Sequence, residues 1–167
     1  QRNDGSAPPA ASGDCDLCIF TEYVECGSIA RMVRKFGALP FPVIQRYLRQ
    51  VLLGLTYLHE QSVVHRDIKG DNILVAKDGT VKLADFGCSA QLARLAEAAD
   101  SGAATGGMVA NLTGTPLWMS PEAMRGEPLG TSTDVWSVGC VGIEMLGRPP
   151  WKMGRAENVY TAMFRFQ

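Results

Sequence analysis

Between residues 41 and 61 the apolar side chains Ile44, Leu48, Val51, Leu52, Leu55 and Leu58 recur every three or four positions, with Gln45, Arg46, Arg49 and Gln50 on the other face. That spacing predicts an amphipathic helix with one buried stripe. Upstream, Leu17 to Tyr23 reads as a strand that runs into a turn at Glu25, Cys26 and Gly27. Ser28 is placed to cap a short helix ending at Phe36, and Gly37 stops it. Two β-rich runs, Ile73 to Ala76 and Thr80 to Ala84, flank Lys77-Asp78-Gly79 and predict a two-stranded ribbon, because Asp-Gly is a strong hairpin signal. Thr133 to Leu146 is apolar on nearly every face, which predicts a buried helix, and Gly147, Pro149 and Pro150 close it. A last amphipathic segment covers Asn158 to Phe166. Residues 1–15 are rich in Ala, Pro, Gly and Ser and read as a linker, and residues 88–119 read as one long functional loop.

Composition narrows the class. The 167 residues are 46% hydrophobic and 20% charged, with 16 basic against 17 acidic side chains, so the net charge of −1 offers no electrostatic case for nucleic acid or membrane binding. The longest apolar stretch, Val135 to Leu146, contains Ser137 and Glu144 and falls short of the roughly 18 residues of a membrane span. The five cysteines have no framework spacing and are read as reduced thiols of an intracellular, cytoplasmic protein. Cys15 and Cys18 form a lone CxxC without a second pair, which is weak support for zinc. Glycine, at 18 residues, is in excess and predicts tight turns or backbone approaches to a ligand.

The densest chemistry is HRDIKGDN at residues 65–72, followed across the predicted ribbon by DFG at residues 85–87. HRDxKxxN arises by chance about once in three million registers and DFG about once in 8,000, so the ordered pair is a specific signal. GTPLWMSPE at 114–122, DVWSVGC at 134–140 and RPPW at 148–151 extend it. Together these resemble the C-terminal lobe of a eukaryotic-type serine/threonine protein kinase, with EYVECGSIARMVRKFGALP resembling the hinge and first lobe helix. The wording of RQVLLGL, HRDIKGDNILV and GTPLWMSPE is most similar to the MAP kinase kinase kinases of the STE group. The resemblance implies an α+β fold over residues 16–167: a mainly helical lobe with a small ribbon and a hinge strand. The glycine-rich strand, lysine and glutamate of the N-terminal lobe have no counterpart in these residues, so that lobe is expected to be missing and the fragment inactive alone.

The resemblance also assigns roles. Asp67 would orient the proton of the acceptor hydroxyl, Lys69 would neutralise the transferring phosphate, and Thr115 would pack against Asp67. Asn72 and Asp85 carry the hard oxygen ligands that Mg²⁺ prefers. For ATP, Thr21 takes the gatekeeper position, the backbone of Glu22 and Val24 meets the adenine edge, and Leu74 packs beneath the ring. His65 and Phe86 would stack, and Asp134 would hold the catalytic-loop backbone. Arg66 would pair with a phosphate on the activation loop, where Ser101, Thr105 and Thr113 are candidates and Thr113 is favoured. Glu122 lacks its usual arginine partner in these residues and is expected solvated or mispaired. Trp118, Trp136 and Trp151 are packing residues in this reading, His59 is a partly exposed structural residue, and Cys88 is either reachable or inertly buried. The expected cofactors are ATP and Mg²⁺ and the expected partner is a MAP kinase kinase. A pseudokinase or scaffold lobe is the alternative, against which the intact Asp67, Lys69, Asn72 and Asp85 speak.

Overall fold

The computed structural model describes residues 18–100 and 114–151. The linker at residues 1–15, Cys15, the sites Ser101, Thr105 and Thr113, and the segment Asn158 to Phe166 lie outside the described residues.

Helix α1 spans Ile29–Phe36, and its first turn is closed by Ser28 Oγ, which accepts from the Arg31 amide at 3.2 Å. Gly37, at φ 77°, ends it in a conformation that a Cβ would strain. Helix α2 spans Phe41–Glu60, with Pro42 in its first turn, where the missing N–H costs nothing. Ile44, Tyr47, Val51 and Leu55 are its buried line. Leu52, placed in the stripe by its spacing, is instead exposed, because it lies about 100° around the helix from Val51 and beyond the edge of the contact.

The ribbon forms as expected. A first short strand, β1, covers Val63–Val64. Strand β2, Ile73–Val75, pairs antiparallel with β3, Val81–Leu83, in the register Ile73↔Leu83 and Val75↔Val81. Asp78 steadies the turn by accepting from the Thr80 amide and hydroxyl, both at 2.8 Å, and Gly79 adopts φ 79°. Gln50 of α2 ties the ribbon to the helix, donating to Gly79 O at 3.1 Å and accepting from the Val81 amide at 2.9 Å. A second pair joins β1 to β4, Ala90–Gln91, and brackets the stretch that contains both signature motifs.

Three expectations are corrected. The segment from Cys18 to Val24 is not a strand: no partner strand lies beside it among the described residues, and without a ladder its exposed backbone is left to water. The stretch read as one loop from 88 contains β4 and a helix, α3, at Leu92–Asp100. Its Leu- and Ala-rich sequence is helix-forming by intrinsic preference. A short helix α4, Pro121–Arg125, capped by Ser120, leads to α5, Thr131–Met145. Helix α5 buries Thr133, Asp134, Ser137, Val138, Cys140, Val141 and Met145 but leaves Val135 and Ile143 exposed. Helices α1 and α2 cover only one side of it among the described residues, so its apolar surround is not buried all round. The core gathers Ile29, Ile44, Val51, Leu55, Ile68, Ile73, Val141 and Met145 between α1, α2, α5 and the ribbon.

Candidate active site

The loop from His65 to Asn72 leaves β1 and enters β2, and α5 fixes it from below. Asp134, fully buried, accepts from the His65 amide at 2.9 Å through Oδ2 and from the Arg66 amide at 2.8 Å through Oδ1. His59 Nε2 reaches the same Oδ2 at 2.8 Å, so this partly exposed histidine is the structural residue it was expected to be, joining α2 to the loop anchor. Arg66 adopts φ 66°, a left-handed conformation that costs a side-chain-bearing residue energy and persists because its own amide and that of His65 are claimed.

Three polar side chains converge on Asp67. Lys69 Nζ donates to its Oδ2 at 2.8 Å, Asn72 Nδ2 to the same oxygen at 2.9 Å, and Thr115 Oγ1 to Oδ1 at 2.8 Å. Lys69 also donates to Thr115 Oγ1 at 2.7 Å, closing a triangle of side chains. Burial works to raise the Asp67 carboxyl, but the bonds from Lys69, Thr115 and Asn72 outweigh it and hold it below the usual carboxylate range. The carboxylate is therefore ionised at neutral pH and acts as an acceptor.

Thr115 reaches this position because Gly114 passes close over the loop at φ 114°, where an added Cβ would stand 2.7 Å from Arg66 O. Only glycine tolerates both the angle and the approach. Asp85 also sits in the left-handed region, at φ 62°, and its Oδ1 accepts from the Gly87 amide at 3.3 Å. The ribbon ends here: Ala84 donates to Asn72 O at 2.9 Å, so Asp85 follows directly on the residue that faces Asn72. His65 is fully buried, contacts Ala84 O at 3.1 Å through Nε2, and lies 4.9 Å from the Phe86 ring. The structure thus brings Asp67, Lys69, Asn72 and Thr115 into direct contact and puts Asp85 at the adjoining end of the ribbon.

The residues expected at the adenine are less gathered. Thr21 is exposed, Val24 is half-buried, and Glu22 bonds Lys82 Nζ at 2.6 Å, opposite Leu74 in the ribbon. Main-chain bonds from Cys26 to Val75 O (3.1 Å) and from Val75 to Gly27 O (2.8 Å) anchor the end of that segment. Arg66 Nε donates to Cys88 O, which ties it to the residue after DFG. Cys88 itself is half-buried and a free thiol. Glu122 accepts from Thr133 Oγ1 at 3.2 Å and Ser132 Oγ at 3.5 Å and joins no ion pair among the described residues. Trp118 and Trp151 donate to Glu144 Oε2 and Leu117 O, both at 3.0 Å, and Trp136 stacks on Trp151.

Glu144 is a residue that the motifs pass over. In the sequence it only interrupts an apolar run, and a carboxylate inside such a helix is itself a signal, since buried charges need partners. Its partners, Gly70 and Trp118, come from two separate motifs.

Comparison with known proteins gives the family. The family described as "Protein kinase domain" matches residues 10–166, and the chain belongs to it. It is 49% identical over 139 residues to mitogen-activated protein kinase kinase kinase 2 of Arabidopsis thaliana, covering 83% of this chain and 20% of that protein. Against mitogen-activated protein kinase kinase kinase 3 of Mus musculus it is 46% identical over 136 residues, covering 81% and 21%. Against mitogen-activated protein kinase kinase kinase A of Dictyostelium discoideum it is 44% identical over 136 residues, covering 81% and 13%. The chain therefore spans about a fifth or less of the length of these relatives. No helix among the described residues is long and apolar enough to cross a membrane.

Proposed function

We propose that residues 16–167 form the hinge and catalytic lobe of a serine/threonine protein kinase that transfers the γ-phosphate of ATP to a MAP kinase kinase in the cytoplasm. The observation that carries this reading is the clamp on Asp67 by Lys69, Thr115 and Asn72 at 2.8–2.9 Å. Phosphoryl transfer depends on positioning and charge neutralisation more than on covalent chemistry, and this arrangement supplies both. Asp67, held ionised, accepts a hydrogen bond from the acceptor hydroxyl and aims its oxygen at the phosphorus. Lys69 balances charge as the γ-phosphate moves, and it is already oriented by Asp67 and Thr115. Thr115, drawn against Asp67, narrows the approach and favours a short serine or threonine side chain over tyrosine.

The donor set fits Mg²⁺. The Asn72 amide nitrogen is spent on Asp67 O and Oδ2, both at 2.9 Å, which leaves its oxygen as the ligand atom, and Asp85 adds one exposed carboxylate. One carboxylate and one amide oxygen suit an ion that keeps most of its shell for water and phosphate oxygens. Bound there, Mg²⁺ would neutralise the phosphates of ATP. Thr21, the backbone of Glu22 and Val24, and Leu74 would receive the adenine. Arg66, beside Asp67, would receive a phosphate from the activation loop, with Thr113 as the acceptor.

The test uses the full-length protein with ATP, Mg²⁺ and a catalytically dead MAP kinase kinase. Asp67→Asn is expected to lower kcat by about 10²–10³ while the KM for ATP stays near wild type. An unchanged kcat would show that Asp67 does not orient the acceptor hydroxyl, and an inert wild-type protein would favour the scaffold reading. Phosphoamino acid analysis should return phosphoserine or phosphothreonine, and phosphopeptide mapping of the active protein should place a phosphate within residues 100–113. Residues 1–167 alone should transfer negligible phosphate, because they supply neither the glycine-rich loop nor the N-lobe lysine.

A further inference from the structure

The formal charge of −1 conceals an asymmetry along the chain. From Ser28 to His59 the sequence carries Arg31, Arg34, Lys35, Arg46 and Arg49 and not one aspartate or glutamate. Three of these cations belong to α1, at spacings of three and four residues, which sets them on one face of the helix. That face is exposed, while Ile29 and Ala30 are buried and Met32 and Val33 pack against the core on the opposite side.

The three cations are poorly matched within the chain. Arg34 Nη2 meets Asp71 Oδ1 at 3.2 Å, with side-chain exposures of 66% and 50%. Arg31 lies over the turn at Gly27, its Cδ 3.1 Å from where a Cβ would stand, and Lys35 Nζ sits 5.0 Å from the ring of the exposed Phe36. Neither Arg31 nor Lys35 pairs with a carboxylate among the described residues, and Glu25, the nearest in sequence to Arg31, is 3.8 Å from Lys77 instead. Cations in the last turn suit the helix dipole, which accounts for Arg34 and Lys35. Arg31 stands in the first turn, where the dipole disfavours a cation, so its place points to an anion from outside the chain. Asp71 is two residues past Lys69 and four past Asp67, and α1 packs on the turn Gly70–Asn72 that contains it. The basic face therefore adjoins the side chains gathered around Asp67.

We propose that the face of α1 formed by Arg31, Arg34 and Lys35 selects the protein substrate by receiving an acidic segment that flanks its acceptor serine or threonine. The proposal rests on the kinase reading above and adds the chemistry of the substrate. Arg31 and Lys35 are about 6 Å apart along the helix axis, and alternate residues of an extended peptide are about 6.6 Å apart, so two carboxylates of one strand reach both. The pair Arg34–Asp71 is exposed and screened, so an incoming carboxylate can take Arg34 over at little cost. An anionic membrane is the poorer fit, because the apolar side of α1 is spent on the core and cannot enter a bilayer.

The experiment uses the full-length protein and three synthetic acceptor peptides that differ only in the residues flanking the acceptor: all Glu, all Gln or all Arg. In about 0.05 M salt the wild-type kcat/KM for the Glu peptide should exceed that for the Gln peptide about fivefold or more, and in about 0.5 M salt by less than about twofold. The double substitution Arg31→Glu with Lys35→Glu should lower this Glu-to-Gln ratio about tenfold or more, with the KM for ATP within about twofold. Arg34→Gln should lower the ratio about threefold and, by releasing Asp71, raise kcat/KM for the Arg peptide. A fluorescent Glu-flanked peptide with Ala in place of the acceptor should bind wild type more tightly than the double variant. Equal kcat/KM for the three peptides in wild type, or a preference for Arg, would overturn the proposal. So would a loss in the double variant that is the same for every peptide and tracks the melting temperature, since the cations would then serve only the helix. Binding to phosphatidylserine vesicles that the double variant loses, without discrimination between the peptides, would assign the face to a membrane and overturn it as well. An inert wild-type protein that still binds the Glu-flanked probe through Arg31 and Lys35 would count against the kinase reading and leave the acidic-segment site standing.

Discussion

In the loop from His65 to Asn72, Asp134 takes two amide N–H groups, Glu144 takes a third, and Asp67 gathers three side chains. The segment from Cys18 to Val24, by contrast, leaves Ile19, Phe20 and Tyr23 in water and bonds the rest of the chain through the exposed pair Glu22–Lys82. The loop runs directly into β2 and the segment ends at Cys26 and Gly27, which bond Val75 of that strand, yet only the loop is held by buried acceptors. Buried acceptors are expensive to leave unmade, so the loop is fixed by the same bonds that stabilise the core. A surface ion pair exerts no such control. The side chains gathered around Asp67 can therefore keep their mutual geometry independently of residues 18–24.

Asp134→Ala should break this comparison most severely. It strands the His65 and Arg66 amides in the interior and removes the partner of His59. The expected loss is about 3 kcal/mol or more of folding stability, read from the urea midpoint at constant m-value. A loss near zero would mean that the loop is held by something other than its buried acceptor.

Gly114→Ala comes next. The methyl group would meet Arg66 O at 2.7 Å, in a conformation with φ 114°, so the expected cost is about 1–3 kcal/mol. Gly126→Ala is the control, since Gly126 has φ 68° but open space around it, and about 1 kcal/mol is expected there. If the two substitutions cost the same, the close approach to Arg66 adds nothing beyond backbone strain. Phosphoryl transfer should fall further in Gly114→Ala than its stability suggests, because Thr115 is the next residue.

These positions also mark how much the sequence discloses. Periodicity and punctuation find α1, α2, the ribbon and α5, because each has a capping residue, an Asp-Gly turn or a long apolar run. Short fixed motifs bring Asp67, Lys69, Asn72 and Thr115 together, since the first three of these residues lie within six positions of one another. What stays hidden depends on contacts between distant residues: β4 is a strand only because β1 lies beside it, and Gln50 docks the ribbon from a face that reads as solvent. Cys18 to Tyr23, the described part of the predicted strand, fails in the reverse sense, with strand-like composition and no neighbour to pair with among the described residues. Glu144 is legible only as an anomaly, because its partners are 74 and 26 residues away.

A smaller effect separates two carboxylates within the well-held region. Asp67 has its folded pKa lowered, so its contribution to stability is complete above about pH 4 and is lost as pH falls through the folded value. Glu144 has its folded pKa raised, so its contribution is complete below about pH 4 and is lost as pH rises through the folded value. Urea unfolding in metal-free buffer across this range should show Asp67→Asn losing ground to wild type as pH rises, and Glu144→Gln gaining it. Parallel curves for the two variants would mean that the site bonds and the burial of Glu144 do not act in opposite senses.

The smallest expected effect lies in the segment from Cys18 to Val24. Glu22 and Lys82 are 2.6 Å apart with side-chain exposures of 66% and 38%, so solvent screens the pair and ordering two long side chains opposes it. Glu22→Gln should change stability by less than about 1 kcal/mol, and the change should shrink further in about 0.5 M salt. The adenine contact assigned to residue 22 uses its backbone, so the KM for ATP should also hold. A cost comparable to that of Asp134→Ala would place residues 18–24 in the same cooperative unit as the catalytic loop. The distinction between a pre-set cluster around Asp67 and a loosely held segment at residues 18–24 would then fail at its weaker side.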